Sequence, residues 1–323
     1  MNRRINTVTG EIAVEDLGRT LTHEHILVGL PGAEFDPDNA WDRSEVVEQA
    51  VRRLKELRDW GVRTFVDPCP IELGRDVSLM AEISERAEMQ IICTTGFYTE
   101  PLGIPAYWRH RDQEEITELF VREIEQGVGR TGIRAGAIKC ATSSPDIPAA
   151  ESLCLSAAAT AQHATGVPII THTEGGLGGP EQHAALVASG ARADRCLIGH
   201  CCGNPDPAYH RQVLAGGAFI GFDRIGMAIM QSDEIRADNI VRLVQAGLGH
   251  RVIMSQDRLC KYVGKLRAAM LPPEPKPAES QDYSHSYIFS DFLPKLRDRG
   301  LDDAQIFPIL DVNPQQLFSE NPN

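Results

Sequence analysis

The chain has 323 residues, a length open to two domains or to one α/β barrel, since such barrels routinely pass about 250 residues as one unit. Its 32 Lys and Arg against 45 Asp and Glu leave a net charge of -13, which excludes a general polyanion binder because affinity for phosphate backbones comes largely from cations. Nucleic acid and membrane surfaces are therefore not expected partners; no segment approaches the length of a membrane span, and no apolar run follows the short basic start Arg3-Arg4. Eight cysteines with no CxxC pair and no export signal read as reduced thiols, so a soluble, cytoplasmic protein is expected.

In chain order, apolar and β-branched stretches predict strands over residues 20–25, 62–67, 90–95, 134–140, 167–173, 196–201, 218–224 and 251–256. Helical patterns, with apolar positions at spacings of three and four, alternate with them over 44–60, 77–89, 114–127, 149–164, 179–189, 207–215, 233–246 and 286–299. Gly61, Gly127, Gly166, Gly190, Gly216 and Gly247 stand near the ends of these helices, where a residue free to adopt positive φ stops a helix. Eight strand-helix repeats without an early G-x-G-x-x-G turn predict a closed (β/α)₈ TIM barrel of α/β class, a single domain over residues 1–323, rather than an open doubly wound sheet. Residues 258–284, with a proline-rich centre that suits neither helix nor central strand, are predicted to be a long loop over the barrel mouth.

The stretch Leu21-Thr22-His23-Glu24-His25 ends the first predicted strand. Alternation along a strand puts His23 and His25 on one side and Glu24 on the other, so the pair can present two imidazoles to one ion, though alone it is only part of a site. The other predicted strands end with Lys139, His172, His200 and Asp257, all at the C-terminal mouth where this fold carries its active sites. Each residue singly has an ordinary structural reading; together they suit two divalent transition-metal ions sharing a bridge. Lys139 cannot ligate as an ammonium, but a desolvated amine can add carbon dioxide and become a bridging carbamate, N6-carboxylysine.

These residues, with Leu17-Gly18-Arg19-Thr20, Gly132 to Lys139, Thr171-His172-Thr173, Ile198-Gly199-His200 and Ser255-Gln256-Asp257, resemble the phosphotriesterase-related branch of the amidohydrolase superfamily over nearly the whole chain. The resemblance implies that His23, His25 and Asp257 hold a more buried metal and His172 and His200 a more exposed one, with carboxylated Lys139 bridging; zinc is the expected ion, with iron, cobalt and manganese as alternatives. Thr95-Gly96-Phe97-Tyr98 and Gly221 to Gly226 are similar to the phosphotriesterase-like lactonases, which makes Tyr98 a candidate catalytic and substrate-orienting residue. Cys201-Cys202-Gly203-Asn204-Pro205 and the polar stretch after Asp257 depart from those lactonases, and put a long-chain acyl lactone in doubt as substrate.

The reaction this implies is hydrolysis of a lactone or carboxylic ester by a metal-bridging hydroxide, with weak phosphotriesterase activity as a side reaction and Asp257 taking the proton. The alternatives are an amide or phosphate ester hydrolase, a Schiff-base lyase using Lys139, and a metal-stabilised protein without turnover. Arg224, Arg258 and Lys261 near the mouth of an acidic protein suggest a small-molecule substrate bearing an anionic group. A homodimer is expected only because isologous dimers are common and the family tends to form them.

Overall fold

The structure, a computed structural model, describes residues 4–265 and 284–319. An antiparallel hairpin, β1 (Arg4–Thr7) and β2 (Gly10–Ala13), precedes β3 (Arg19–Leu21) and β4 (His25–Gly29). There follow β5 (Val62–Asp67), β6 (Gln90–Gly96), β7 (Ala137–Thr142), β8 (Ile169–Thr173), β9 (Cys196–Ile198), β10 (Phe219–Phe222), β11 (Val252–Met254) and β12 (Leu259–Val263). Eight of them, β3 and β5 to β11, lie side by side in chain order and pair parallel throughout. Beyond the ends of the outermost strands the Asp257 N–H donates to the His23 carbonyl at 2.9 Å, drawing the sheet round toward closure. With helices on the outside, this is the (β/α)₈ TIM barrel that the alternating pattern predicts.

The helices begin where carboxylates can cap them. Asp42, Asp76 and Asp112 each accept the N–H three residues on, from Glu45, Leu79 and Glu115 at 2.9 Å, and each cap contributes about 1 kcal/mol. The helix Arg43–Asp59 then buries Val46, Val47, Ala50, Val51, Leu54 and Leu57, a single stripe facing the sheet.

Alternation divides the barrel interior into two layers. Val66, Ile92, Ala137, Ile170, Leu197, Phe219 and Ile253, one from each strand β5 to β11, form a dry cluster closed from below by Ile5, Leu17, Leu317 and Phe318. Two residues further along β7 and β8, and therefore on the same face, stand Lys139 and His172. An apolar plug thus underlies the ionisable ring. Gly96 lets two strands approach there: a Cβ at this position would lie 1.8 Å from the Lys139 carbonyl oxygen.

The structure corrects three expectations. The first predicted strand, 20–25, is two: the chain leaves the barrel after Leu21, and β4 pairs with β12 in a separate parallel ribbon, Leu259 opposite His25 and Lys261 opposite Leu27. Glu24 holds the departure, its carboxylate accepting Ser255 Oγ at 2.9 Å, the Gln256 N–H at 2.7 Å and the Arg258 N–H at 3.0 Å. Residues 259–263 are accordingly strand rather than the start of a loop; the proline-rich part of that predicted loop lies outside the described residues. The predicted helix 286–299 opens as a π-helix, Ile288–Phe292, before the α-helix Leu293–Asp298, because Pro294 has no N–H to give and crowds the carbonyl one turn back. Beyond the predicted helices, Pro308–Phe318 packs under the barrel.

Candidate active site

The strand ends gather His23, His25, Lys139, His172, His200 and Asp257 at one mouth. His25 Nε2 lies 3.3 Å from Asp257 Oδ1 and His23 Nε2 3.9 Å from the same oxygen, while His200 Nε2 is 3.8 Å from Asp257 Oδ2. Lys139 Nζ stands 3.1 Å from His23 Nε2. The His200 ring is 4.6 Å, centroid to centroid, from both His23 and His172. All but Asp257 are buried, and Asp257 is nearly so.

Two of these residues occupy strained backbone. His200 has φ +60° and Asp257 φ +55°, the left-handed region that non-glycine residues seldom adopt, and such outliers concentrate where function holds them. For His200 the consequence is direct: β9 is only three residues long, and the left-handed turn after Gly199 brings the imidazole back over the barrel.

Three imidazoles are oriented by carboxylates behind them. Asp223 takes His23 Nδ1 at 3.0 Å on Oδ2 and His200 Nδ1 at 3.1 Å on Oδ1, and Oδ1 also accepts the His200 backbone N–H at 2.8 Å. Asp67 takes His25 Nδ1 at 2.9 Å and the Ile26 N–H at 2.8 Å. With Nδ1–H engaged, the lone pair of a neutral ring lies on Nε2, the atom that faces Asp257; on His25 the same two carboxylates also favour a proton there, which an ion would have to displace. His172 differs: its carbonyl accepts from Gln182 at 2.7 Å, while its ring meets the Tyr98 hydroxyl at 3.1 and 3.2 Å and Glu174 Oε2 at 3.2 Å.

The electrostatics follow from burial and these neighbours. Burial lowers His23 to about 4, helped by Lys139, and lowers His172 to about 4. His25 moves the other way, to about 9: burial opposes its charge, but the hydrogen bonds to Asp257 and Asp67 outweigh it. Lys139 falls to about 8, chiefly through desolvation. Asp257 stays well below the usual carboxylate range despite its burial, because His200 and Arg224 favour its charge. Burial pushes the Tyr98 phenol up, so it serves as a neutral hydroxyl.

The residues read as substrate contacts are placed differently from the ring. Arg224 donates through Nε to Asp257 Oδ2 at 2.9 Å, and the Arg258 guanidinium donates to the Gly226 carbonyl at 3.1 Å. Lys261 lies on β12. Two cations expected to greet substrate are thus engaged with the protein itself.

Sequence reasoning overlooked Asp67, Asp223 and Glu174. The signal for the first was present: Asp67 ends the second predicted strand, and collecting ionisable residues at every strand end would have included it. Asp223 stands one residue past β10 inside a stretch already singled out. Only the partners of Asp67 and Asp223, His25 and His23, 42 and 200 residues away in sequence, reveal what they hold.

A TIM barrel whose C-terminal mouth converges four histidines, a lysine and an aspartate defines a hydrolase of the metal-dependent barrel class, and the ligand atoms of His23, His200 and Asp257, all within 4.8 Å of one another, are close enough to belong to one metal centre, whether of a single ion or of two adjacent ones. The chain belongs to the phosphotriesterase family, whose model matches residues 3–318. It is similar to a phosphotriesterase homology protein of Mycobacterium tuberculosis, 34% identical over 97% of both chains, and to a phospho-furanose lactonase of Mycoplasmopsis synoviae, 31% identical over 98% of this chain and 92% of that one. Among solved structures, an organophosphorus hydrolase from Deinococcus radiodurans superposes with a TM-score of 0.91 at 38% identity, covering 98% of this chain and 96% of the other. No helix among the described residues is long and apolar enough to cross a membrane.

Proposed function

We propose that the chain opens a lactone or carboxylic ester at a centre of two divalent ions, zinc foremost, held by His23, His25 and Asp257 on one side and His172 and His200 on the other, with Lys139 as N6-carboxylysine between them. The observation that carries this reading is the set of three Nδ1-clamped imidazoles presenting Nε2 to one carboxylate: such carboxylate–histidine pairs orient the ring and fix the tautomer that a metal takes. Lys139 fits the same reading, since desolvation favours the neutral amine that carbamate formation requires. Bound there, a pair of divalent ions supplies Lewis-acid polarisation of the scissile carbonyl and a nucleophile at neutral pH.

The chain's own residues do the rest. Asp257, kept ionised by the Arg224 guanidinium, accepts the proton released as the nucleophile forms its bond and passes it on through solvent or a neighbouring histidine. Tyr98, a neutral donor beside His172, hydrogen-bonds the scissile oxygen and orients the ring of the substrate. The relative named as a phospho-furanose lactonase supports lactone opening and an anionic substrate together; the organophosphorus hydrolase supports a weaker reaction at phosphorus. Eight buried free thiols support a cytoplasmic, reducing setting, and a homodimer is part of the same proposal.

The test is a metal count on the purified chain, followed by a screen of lactones, esters, amides and phosphotriesters. Two ions per chain and fastest turnover on a lactone or ester are expected. One ion at full activity would end the two-ion reading, and fastest turnover on an amide or phosphate ester would move the substrate class. Equal rates on an acid-bearing lactone and its methylated analogue, unchanged by Lys261→Ala, would remove the anionic group.

A further inference from the structure

We propose that Asp223 is a positioning residue that ties the two ion subsites together, so that one buried carboxylate sets the ligand geometry of both. This rests on the two-ion reading above. The carboxylate is fully buried, and each oxygen serves a different histidine: Oδ2 holds His23 at 3.0 Å and Oδ1 holds His200 at 3.1 Å. Those histidines belong to different ions in the proposed assignment. Oδ1 also receives the His200 backbone N–H at 2.8 Å, so the same group stabilises the left-handed backbone that carries the second ring. Its surroundings leave it little room: Cβ atoms added at Gly199 or Gly221 would lie 3.2 and 2.6 Å from Oδ2. By contrast, Asp67 holds one histidine, His25, and so touches one ion only.

The asymmetry between the two oxygens makes the proposal specific. His200 offers two N–H groups to Oδ1, whereas His23 offers one to Oδ2. An asparagine at 223 therefore keeps its carbonyl oxygen toward His200 and turns its amide N–H toward His23 Nδ1. A donor there favours the His23 tautomer with the proton on Nε2, which cannot ligate. Asp223→Asn should accordingly weaken the His23 ion alone, while Asp223→Ala, which releases both rings, should weaken both.

The experiment loads the full chain with Zn(II) or Co(II), counts ions by mass spectrometry across a chelator titration, and records the Co(II) visible spectrum of whatever remains. For wild type, two ions are expected. In Asp223→Asn one ion should weaken by about 10–100-fold, the usual effect of losing such a partner, and the other should keep its wild-type midpoint. The residual Co(II) spectrum should match that of Asp67→Ala, which releases His25 and marks loss of the same ion and which a general loosening of the fold would not reproduce. In Asp223→Ala both ions should weaken over that range; if that variant does not fold, Asp223→Asn carries the test alone. Asp223→Asn holding both ions at the wild-type midpoint, or releasing the His172–His200 ion first, overturns the proposal and leaves the two-ion centre standing. A wild-type chain that takes up fewer than two ions overturns both.

Discussion

The lower and upper halves of the barrel interior are built on the same strands, two residues apart, and obey opposite rules. Below, Ile92, Ala137, Ile170, Leu197, Phe219 and Ile253 have no polar side-chain atoms to satisfy, and each contributes by leaving water, about 1.5–3 kcal/mol for the larger ones. Above, Lys139, His172, His200 and Asp257 lose hydration for nothing unless partners compensate, and the compensation is visible: Asp67 and Asp223 behind the rings, Arg224 on Asp257, strained backbone at two positions. The lower layer holds the fold together, and the upper layer spends part of that stability on arrangement.

If this division is right, damage above should fall on turnover and damage below on stability. The largest effect is expected at Asp257. Asp257→Asn keeps the size and one acceptor but abolishes the proton-accepting carboxylate, and turnover should fall by about 10²- to 10⁴-fold while the ion count stays near that of wild type. Parallel measurement of kcat and metal content checks this; undiminished kcat would remove Asp257 from proton transfer. The mirror experiment is Ile92→Ala, on β6, which supplies no member of the ring. It should lower stability by about 2–5 kcal/mol in chemical denaturation and leave both ion count and kcat unchanged. A matching loss of bound metal would mean that the two layers are one mechanical unit.

The same division explains what could be read from sequence. The lower layer and the helices were legible because burial writes itself into the spacing of apolar residues, and seven of the eight predicted strands survive, Val62–Asp67 with its predicted bounds and the other six with shifted ends. The ring was legible because its members stand at or just past the ends of the predicted strands, one feature shared by His23, Lys139, His172 and Asp257. The departure after Leu21 was not, because it depends on Glu24 meeting donors at Ser255, Gln256 and Arg258, more than two hundred residues on. Asp223 had the same obstacle: its meaning lies in His23, two hundred residues back. The hydrogen bonds of Arg224 to Asp257 and of Arg258 to the Gly226 carbonyl were equally out of reach, since charge near a mouth says nothing about what a guanidinium already holds.

Glu72 tests how far the cost of polarity extends from the ring. Its Oε1 accepts the Tyr98 N–H at 2.7 Å, its Oε2 is buried with no hydrogen-bond partner among the described residues, and Arg75 nearby is committed to Glu123 at 2.6 and 2.8 Å. Burial raises this carboxyl from 4.5 to about 7. Between those values the folded chain keeps a proton that the unfolded chain has lost, so its contribution is fully present below about 4.5 and is lost as pH rises through about 7, a change on the order of 3 kcal/mol. Glu72→Gln retains the acceptor for Tyr98 and cannot ionise. Its stability relative to wild type should therefore rise between pH 4.5 and pH 8 by up to about 3 kcal/mol, the buried amide N–H offsetting part of the gain at every pH. Denaturation curves at the two pH values decide it, and a difference that does not grow with pH would show that Glu72 ionises as readily in the folded chain as in the unfolded one.

The smallest effect is expected at the rim. Glu174 Oε2 lies 3.2 Å from His172 Nε2, little longer than the 2.9 to 3.1 Å of the buried carboxylates, but its side chain is 51% exposed where Asp67 and Asp223 are fully enclosed. Water and salt screen such a pair, and exposed pairs contribute about 0–1 kcal/mol. Glu174 also meets the ring on Nε2, whereas Asp67 and Asp223 approach theirs from Nδ1, so an ion taken on that atom would have to displace it. Glu174→Gln should thus shift stability by less than about 1 kcal/mol, and should leave the second ion bound as tightly as in wild type or more so. Chelator titration beside thermal denaturation separates the possibilities. A loss of the second ion in Glu174→Gln would place this carboxylate among the groups that hold the centre, and the boundary between the supporting carboxylates and the solvated rim would have to be redrawn outward to include it.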